Sequence, residues 1–577
     1  MRRSKKMMTK LLPALALMAL LIAACGGGGS SQSTGTQKAP ASQQVFTFPE
    51  EGVADISTFD PGLDSDLNSA QAIYMVFTGL VSLNDQLQVV PQMASSWNIS
   101  TDGLTYTFHL RPNLKFSDGT ALTSTDVVYS INRSLEPATA STVGPYYLAL
   151  IKDENLLASG KVKTLIGDSL LAPDPSTVVI KISKPATYFL DALTYPTSYV
   201  VEQSLITTYG KNWTDHLTTG GGDGPFKVAA YTHSKEIDFV PNPYYYGPKP
   251  QLQKVIYPFY KQADTTYRAY QVNQVDIATV PTADLATAKS LPNGQFHQAP
   301  SLNIWYYTMN YLVKPFDNID IREAFDLALN KDLIANNVYK GTVIATNHIV
   351  PKGMPGYDPN LTGPDGVTGT SGDVTKAKAL LAAGLQQEGW TSVTQMPSIT
   401  MVYPSGSVDT DNEMAAVTQM WQNNLGISVK LAPTDFNKLV NETTAAINNP
   451  KGLQLWAIGW IADYPDAQDW TTLQFCNGCG QNDMNYGQNN TSAAAAQQQV
   501  QAALAAADAM PAGAARDAAY NAAEQQLVND VAWLPVYQAT SSKVLKTYIK
   551  GDIQGAFVNP EGLAPPNDWG SIYISTH

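Results

Sequence analysis

The chain has 577 residues, of which 44% are hydrophobic and 15% are charged, so it has enough apolar surface for large cores and is not a disordered polyelectrolyte. At about 150 residues per domain, this length predicts three or four structural units. Lys and Arg number 36 against 49 Asp and Glu, and the resulting formal charge of -13 opposes binding to nucleic acid or to anionic lipid surfaces.

The amino terminus has the pattern of a secretory signal. Basic residues precede an apolar stretch over residues 11–24, which is shorter than the roughly 20 residues of a membrane-spanning helix. The stretch ends in Ala23-Ala24-Cys25, which resembles a bacterial lipobox. We therefore expect residues 1–24 to be removed and Cys25 to carry lipid. An ordinary cleaved signal that happens to end in cysteine is the alternative.

Residues 25–44 are rich in Gly, Ser, Gln and Pro and have no apolar periodicity. This composition predicts a flexible tether that lets a folded body reach away from the membrane. No later segment is apolar enough to span a bilayer, so we expect lipid to be the only membrane anchor.

The first clear secondary structure lies near residue 104. Apolar and polar residues alternate with a period of two, which predicts a strand with one buried face formed by Leu104, Tyr106, Phe108 and Leu110. Asp118-Gly119 then predicts a turn. Thr123 followed by Asp126 is typical of a capping box, so we expect an amphipathic helix to begin there.

Helices and strands also alternate in the second half of the chain. Apolar residues at helical spacing predict a helix over residues 411–426 that ends at Gly426, and alternation predicts a strand through Ile427, Val429 and Leu431. Alanine-rich helices are expected over residues 492–510 and 514–531. No repeat of fixed period is present, so the pattern favours α/β lobes over a solenoid.

Two cysteines remain in the body, Cys476 and Cys479. In an exported chain this Cys-x-x-Cys pair predicts a local disulfide bond. Free thiols, or a redox or metal role, are the alternatives. A zinc site would need a second pair of ligands, and the surrounding sequence lacks a thioredoxin-like pattern.

Sequence motifs for catalysis or metal binding are missing. None of the six histidines stands at His-x-x-x-His spacing, and the chain has no G-x-S-x-G elbow, no P-loop and no G-x-G-x-x-G. We therefore expect no catalytic residues, no resident metal and no cofactor. An extracellular hydrolase is the alternative from another functional class.

Residues 96–130 closely resemble the signature region of the family 5 solute-binding proteins of peptide-type ABC transporters, which include oligopeptide, dipeptide and nickel receptors. Further blocks follow in the family's order and span nearly the whole mature chain: GDGPFKV at 222–228, NPYYYGPKPQL at 242–252, PFDNIDIREAFDLALNKDLI at 315–334, DVTKAKALL at 373–381, GWIADYPDAQDW at 459–470 and VAWLPVYQ at 531–538.

The resemblance implies an α/β fold, a two-lobe periplasmic-binding clamshell of type II with an additional domain. It predicts lobe I at residues 45–90, 216–312 and 540–577, the additional domain at 91–215, and lobe II at 313–539. The chain is expected to cross between lobes near Asn310 and Tyr537, forming a hinge that lets the lobes close on a bound solute.

The resemblance also implies a binding site. In family members that bind peptides, the aspartate at the position of Asp463 receives the α-ammonium, and the tryptophan at that of Trp460 lines the cleft. Further candidate contacts are Tyr486 and Asn485 in the variable cleft loop, and Ser57 and Thr58 in the amino-terminal segment. For each of these residues, ordinary packing, capping or turn formation is the alternative.

One position departs from the family pattern. Some oligopeptide receptors carry an arginine three residues before this tryptophan that helps to hold the peptide carboxylate, whereas this chain has Ala457. Capture of a peptide carboxylate at this position is therefore not expected. The expected ligand is a short peptide, and a longer or differently anchored ligand, a nickel chelate or an oligosaccharide are the alternatives.

The expected partners follow from the family. They are the ligand, the permease and ATPase subunits of an ABC importer, and the membrane through the lipid anchor, with a monomeric receptor on the outer face of the cytoplasmic membrane. A receptor that reports to a sensor instead of feeding import would have the same sequence features.

Overall fold

A computed structural model describes residues 37–551 and 569–577. The predicted signal segment, Cys25 and the first part of the predicted tether lie outside the described residues. In the described part of the chain, no helix combines the length and the apolar character that crossing a membrane requires.

The strands are β1 Val45–Thr47, β2 Glu50–Glu51, β3 Val81–Leu83, β4 Val89–Pro91, β5 Ala94–Ile99, β6 Thr105–Leu110, β7 Leu170–Asp174, β8 Thr177–Lys181, β9 Phe226–Thr232, β10 Glu236–Pro241, β11 Lys254–Tyr260, β12 Ile277–Thr279, β13 Phe296–Met309, β14 Val343–Ala345, β15 Ile399–Pro404, β16 Val429–Thr434, β17 Leu455–Ile461, β18 Leu534–Leu545, β19 Ile549–Lys550 and β20 Tyr573–Ile574.

The α-helices of at least four residues are α1 Leu67–Val76, α2 Ser124–Leu135, α3 Gly144–Tyr147, α4 Glu154–Ala158, α5 Phe189–Ala192, α6 Gln203–Tyr209, α7 Ala263–Gln271, α8 Leu285–Lys289, α9 Ile319–Leu327, α10 Val374–Gln387, α11 Val408–Leu425, α12 Phe436–Thr444, α13 Thr472–Phe475, α14 Ala494–Asp508 and α15 Ala514–Asn529.

The described residues form three larger sheets. Strands β1, β11, β10 and β9 form the sheet of lobe I in that order, with β2 extending the pairing along β11. Strands β5, β6, β8 and β7 form the antiparallel sheet of the additional domain. A seven-stranded sheet has the order β12, β18, β13, β17, β15, β16, with β14 paired to β18; most of it belongs to predicted lobe II, and β12 with the adjoining parts of β13 and β18 belongs to predicted lobe I.

Strands β13 and β18 connect lobe I to lobe II. Their pairing shifts register between Pro300 and Ile304. From Asn303 onward, β13 also pairs with β17 on its other side. Because Ile304 and Met309 are buried in the clusters of lobe II, the predicted end of lobe I at residue 312 lies too far along the chain. The second crossing, predicted near Tyr537, lies beside the register shift on β18.

The end of the predicted tether is packed on lobe I. Ala39 is buried, and Gln44 donates hydrogen bonds to the carbonyls of Ala39 and Ile574, both at 2.8 Å. Lys38 forms a β-bridge with Ser575. The prediction of a flexible tether is therefore wrong for residues 38–44, because these polar residues satisfy backbone groups of the carboxyl-terminal strand.

The local predictions from periodicity and capping are confirmed. Strand β6 buries Tyr106, Phe108 and Leu110, and α2 begins with a capping box in which the amide of Thr123 donates to Asp126 at 2.8 Å. Helix α11 ends at Gly426, which has φ of 73°. The alanine-rich helices are α14 and α15. The predicted strand after Gly426 begins later, at Val429, and Leu431 is exposed.

A close contact between lobe I and the loop after α1 explains a glycine in the GDGPFKV block. A Cβ atom on Gly222 would lie 2.4 Å from the carbonyl oxygen of Val76, closer than non-bonded atoms can approach. We predict that Gly222→Ala lowers the free energy of unfolding by about 1–3 kcal/mol, because the backbone must move to accommodate the methyl group. Urea unfolding measures the change. Gly480→Ala is the control, since nothing lies within 4 Å of its Cβ position. Equal stability of the two variants would contradict this packing.

Candidate functional site

The site lies where lobe II meets the additional domain. Asp463 is two residues beyond the end of β17, in a loop that reaches the additional domain. The next residue, Tyr464, is buried in the core cluster of that domain. Its ring is parallel to that of Tyr188, at 6.2 Å, and meets that of Tyr147 edge-on at 6.3 Å. Asp463 is therefore held at an interface between the two lobes.

No cationic side chain among residues 37–551 and 569–577 pairs with the carboxylate of Asp463. Its Oδ2 atom is buried and has no hydrogen-bond partner. Burial raises the pKa of Asp463 to about 7, and the phenol of Tyr147 opposes this rise by stabilising the anion. A buried carboxylate without a counter-ion is costly, so this group is poised to bind a cation that enters the interface.

Tyrosines surround this carboxylate on the side of the additional domain. The rings of Tyr147 and Tyr195 stack with centroids 3.9 Å apart. Asp463 raises the pKa of both phenols, after the larger effect of burial. Tyr146 also faces Asp463: burial raises the pKa of its phenol, Asp463 raises it further, and Gln481 opposes this rise. Aromatic faces next to a carboxylate favour organic cations, which combine apolar surface with charge.

Two more buried aspartates lie at the same interface. Asp469 accepts the amide of Asp463 at 3.1 Å through Oδ2, whereas its Oδ1 has no hydrogen-bond partner. Burial raises the pKa of Asp469 well above its usual value, and Asp463 raises it further. On lobe I, burial likewise raises the pKa of Asp64, with smaller contributions from Asp66 and Asp463. The interface thus carries an excess of carboxylates.

A buried ion pair holds the loop that carries Asp463. Arg516 of α15 donates to both carboxylate oxygens of Asp466, at 2.7 and 2.8 Å, and its guanidinium lies over the ring of Tyr520. Asp466 also caps the short helix Ala467–Asp469 by accepting the amide of Gln468 at 2.9 Å. Both ends of the loop are thus fixed relative to lobe II.

Trp460 lies on β17 beside this loop. Its side chain is half-buried, and its indole lies 3.4 Å from Asp469 Oδ2. Trp460 therefore forms part of the wall next to the carboxylates. Its role in ligand binding stays a prediction.

Asn485 and Tyr486 do not fit the predicted role as ligand contacts. Both are 0% exposed. The Asn485 amide donates to Asn310 and to the carbonyl of Ala446, both at 3.0 Å, and the Tyr486 hydroxyl donates to Asp530 at 2.6 Å. Their polar groups are already satisfied inside lobe II, so the structure assigns these two residues to packing of that lobe.

Ser57 and Thr58 lie in the amino-terminal loop of lobe I. Their backbone amides donate to the Ser69 hydroxyl at 3.1 and 3.2 Å, and the Thr58 hydroxyl accepts the amide of Asp60 at 2.9 Å. These contacts match the turn-forming alternative. The residue of this loop that points to the interface is Asp64, which the sequence reasoning missed.

Ala457 is 0% exposed and belongs to the core of lobe II, on the opposite face of β17 from Trp460. A side chain at this position therefore points away from Trp460. The departure from the family pattern is consistent with the local packing.

Cys476 and Cys479 form a disulfide bond, the pairing that we predicted, with Cα atoms 5.5 Å apart. Within residues 37–551 and 569–577, no group of three or more His, Cys, Asp or Glu side chains is arranged to hold a metal ion.

Comparison with known proteins identifies the family. A family model described as the middle part of the bacterial extracellular solute-binding proteins, family 5, matches residues 88–482. The chain belongs to this family. Its members are binding proteins, not enzymes.

Relatives of this family 5 protein cover most of its length. It is 30% identical over 436 residues to the oligopeptide-binding protein OppA of Bacillus subtilis (strain 168), covering 73% of this chain and 76% of that protein. It is 28% identical over 517 residues to the probable deoxycholate-binding periplasmic protein YgiS of Escherichia coli (strain K12), covering 89% and 91%.

A solved structure confirms the fold of this family 5 protein. The murein tripeptide binding protein MppA of Escherichia coli matches with a TM-score of 0.74 and 26% identity, covering 92% of this chain and 98% of that chain. The periplasmic-binding fold predicted from the sequence is therefore correct.

Proposed function

We propose that this chain is the receptor of an ABC importer for short peptides, and that it binds the free amino end of the peptide at Asp463. The observation that carries the proposal is a buried carboxylate with no counter-ion at the contact between the lobes. A peptide's α-ammonium supplies the missing charge, and the lobes supply the surrounding surface. The names of the oligopeptide- and murein tripeptide-binding relatives support a peptide ligand.

Closure of the lobes completes the site. Asp463 comes from lobe II, whereas Tyr147 and Tyr195 come from the additional domain, so only the closed form brings these groups together. A ligand that contacts both sides shifts the equilibrium toward this form by its differential affinity. The permease would then recognise the closed receptor.

The same electrostatics disfavours an anionic ligand such as the bile acid in the name of one relative. An anion would add its charge to unpaired carboxylates in a site of low polarity. Nickel-chelate and oligosaccharide receptors of the same family, and an extracellular hydrolase, are the alternatives that experiment must separate.

We further propose that lipid at Cys25 tethers the receptor to the outer face of the cytoplasmic membrane. The lipobox-like residues and the Gly/Ser-rich segment that follows support this. Labelling cells with a radioactive fatty acid tests it, because Cys25→Ser should abolish the label. Undiminished labelling of that variant would contradict lipid attachment at this cysteine.

Native mass spectrometry of the purified protein tests the ligand class. We expect adducts that dissociate on denaturation and whose masses and fragments are those of short peptides. Bound sugars, bile acids or nickel in place of peptides would contradict the proposal.

The pKa of Asp463 predicts how affinity depends on pH. The pKa of Asp463 is about 7 in the folded state, above the usual 3.8. The protonated side chain therefore contributes fully to folding stability below pH 4, and this contribution is lost as the pH rises through 7. An ammonium ligand binds the ionised form and reverses this loss. The α-ammonium itself deprotonates near pH 7.7–8.0, so affinity should be greatest near neutral pH.

Calorimetry at several pH values measures this dependence. Affinity for a tripeptide should fall up to about 50-fold between pH 7.5 and pH 5, because Asp463 is protonated at the lower pH. An affinity that stays constant over this interval would contradict the predicted protonation of Asp463.

A further inference from the structure

Three aspartates in one loop of lobe I have very different surroundings. Asp60 accepts from both terminal nitrogens of Arg133, at 2.5 and 2.8 Å. Asp66 caps α1 by accepting the amide and the hydroxyl of Ser69 at 2.9 and 2.8 Å. Asp64, between them, is 0% exposed, and no side chain of the described residues hydrogen-bonds to its carboxylate, although the nearby backbone amide of Asp66 opposes the rise in its pKa. Helix capping and ion pairing therefore explain two of the three, but not Asp64.

The unpartnered side chain of Asp64 faces the same tyrosines as Asp463. The hydroxyl of Tyr195 donates to the backbone carbonyl of Asp64 at 3.3 Å, and the charge of Asp64 acts on the Tyr195 phenol together with that of Asp463. Tyr195 in turn stacks on Tyr147, whose phenol faces Asp463. One pair of stacked rings thus contacts both the segment that carries Asp64 and the carboxylate of Asp463, and the two carboxylates are close enough for Asp463 to raise the pKa of Asp64.

The protein supplies no positive charge to either group. In the part of the chain that the structure describes, neither Asp64 nor Asp463 forms an ion pair, and the charges that act on Asp64 are those of Asp66 and Asp463. Some buried carboxylates elsewhere are paired with bases, as in Asp466 with Arg516 and Asp326 with Lys331, whereas Glu413 is held by tyrosine hydroxyls. A single ammonium bound at Asp463 would leave Asp64 unpaired.

We propose that Asp64 binds a second positive charge of the ligand, so that the receptor selects peptides whose first residue is basic. The inference rests on the proposed function, because it places the α-ammonium at Asp463. The side chain of an amino-terminal lysine or arginine then lies along the stacked rings and brings its charge to Asp64. Aromatic faces accommodate its apolar stem and its charged end.

The experiment compares tripeptides by calorimetry with the wild-type protein. Lysyl-alanyl-alanine should bind roughly 10- to 100-fold more tightly than norleucyl-alanyl-alanine, which has a similar shape without the second charge. Alanyl-alanyl-lysine has the same net charge as the lysyl peptide but should not show this gain. 1,5-Diaminopentane tests a free diamine, and it should bind more weakly than the lysyl peptide because it lacks the peptide groups.

The Asp64→Asn variant should bind the lysyl and norleucyl peptides equally while it still prefers free to acetylated amino ends. The matched control is Asp66→Asn, which removes a neighbouring charge that is engaged in capping, and it should keep the preference for lysine. Equal binding of the lysyl and norleucyl peptides to the wild type would overturn this inference alone.

Two other outcomes are separate from that result. Failure of every tripeptide to bind would instead overturn the proposed function. Tighter binding of the diamine than of the lysyl peptide would overturn the assignment of the second charge to a peptide residue.

Discussion

Asp463→Asn is expected to weaken the binding of a tripeptide with a free amino end by about 100-fold or more. The substitution keeps the size of the side chain but removes the charge that neutralises the buried ammonium. Removing one partner of a buried charge pair costs about 3–5 kcal/mol of binding free energy, because the other charge is left buried and unpaired. Calorimetric titration of wild type and variant measures the loss.

The variant should otherwise be intact. Removing an unpaired buried carboxylate relieves a desolvation cost, so the thermal stability of the ligand-free variant should equal or exceed that of the wild type. Asp435→Asn is the matched control, because Asp435 is an exposed cap of α12 on the same lobe and asparagine also caps helices. Loss of binding by the control, or unchanged binding by Asp463→Asn, would contradict the role of Asp463.

Arg516→Leu is expected to lower the free energy of unfolding by about 3–5 kcal/mol. Leucine leaves the buried carboxylate of Asp466 without its counter-ion. The free-energy cost of leaving this charge unpaired exceeds the net stabilisation that the intact ion pair provides. Peptide affinity should fall as well, because Asp466 belongs to the loop that holds Asp463. Urea unfolding followed by tryptophan fluorescence measures the stability.

The control for this variant is Lys376→Leu, which removes a solvent-exposed ion pair with Asp365 on the same lobe. Such pairs contribute less than about 1 kcal/mol, so the control should unfold almost as the wild type does. If Arg516→Leu loses as little stability as Lys376→Leu, the buried ion pair does not fix the loop.

Local features of the fold were predictable from the sequence because they depend on neighbouring residues. The strand through Tyr106 and Phe108 follows from alternation, and the start of α2 follows from a capping box of two side chains. The end of lobe I was not predictable in this way. Strand β13 continues through the crossing without a break, and only its pairing with β17 shows which part belongs to lobe II.

The site was only partly predictable. Asp463 and Trp460 were identified through a family motif, and the structure places both at the interface. Asp64 and Tyr147 lie far from that motif in the chain, and only folding brings them to it. An aspartate next to two others in a turn-rich loop gives no sign that it lacks a partner. Conversely, the sequence around Asn485 did not reveal that its amide is used inside lobe II.

The central claim is that the buried interface carboxylate recognises the free amino end of a peptide. Its most direct test is calorimetric titration of the wild-type protein with one tripeptide in two forms, free and N-acetylated. We expect the free form to bind and the acetylated form to bind at least about 100-fold more weakly, because acetylation removes the charge that pairs with Asp463. Equal affinities for the two forms would contradict the account.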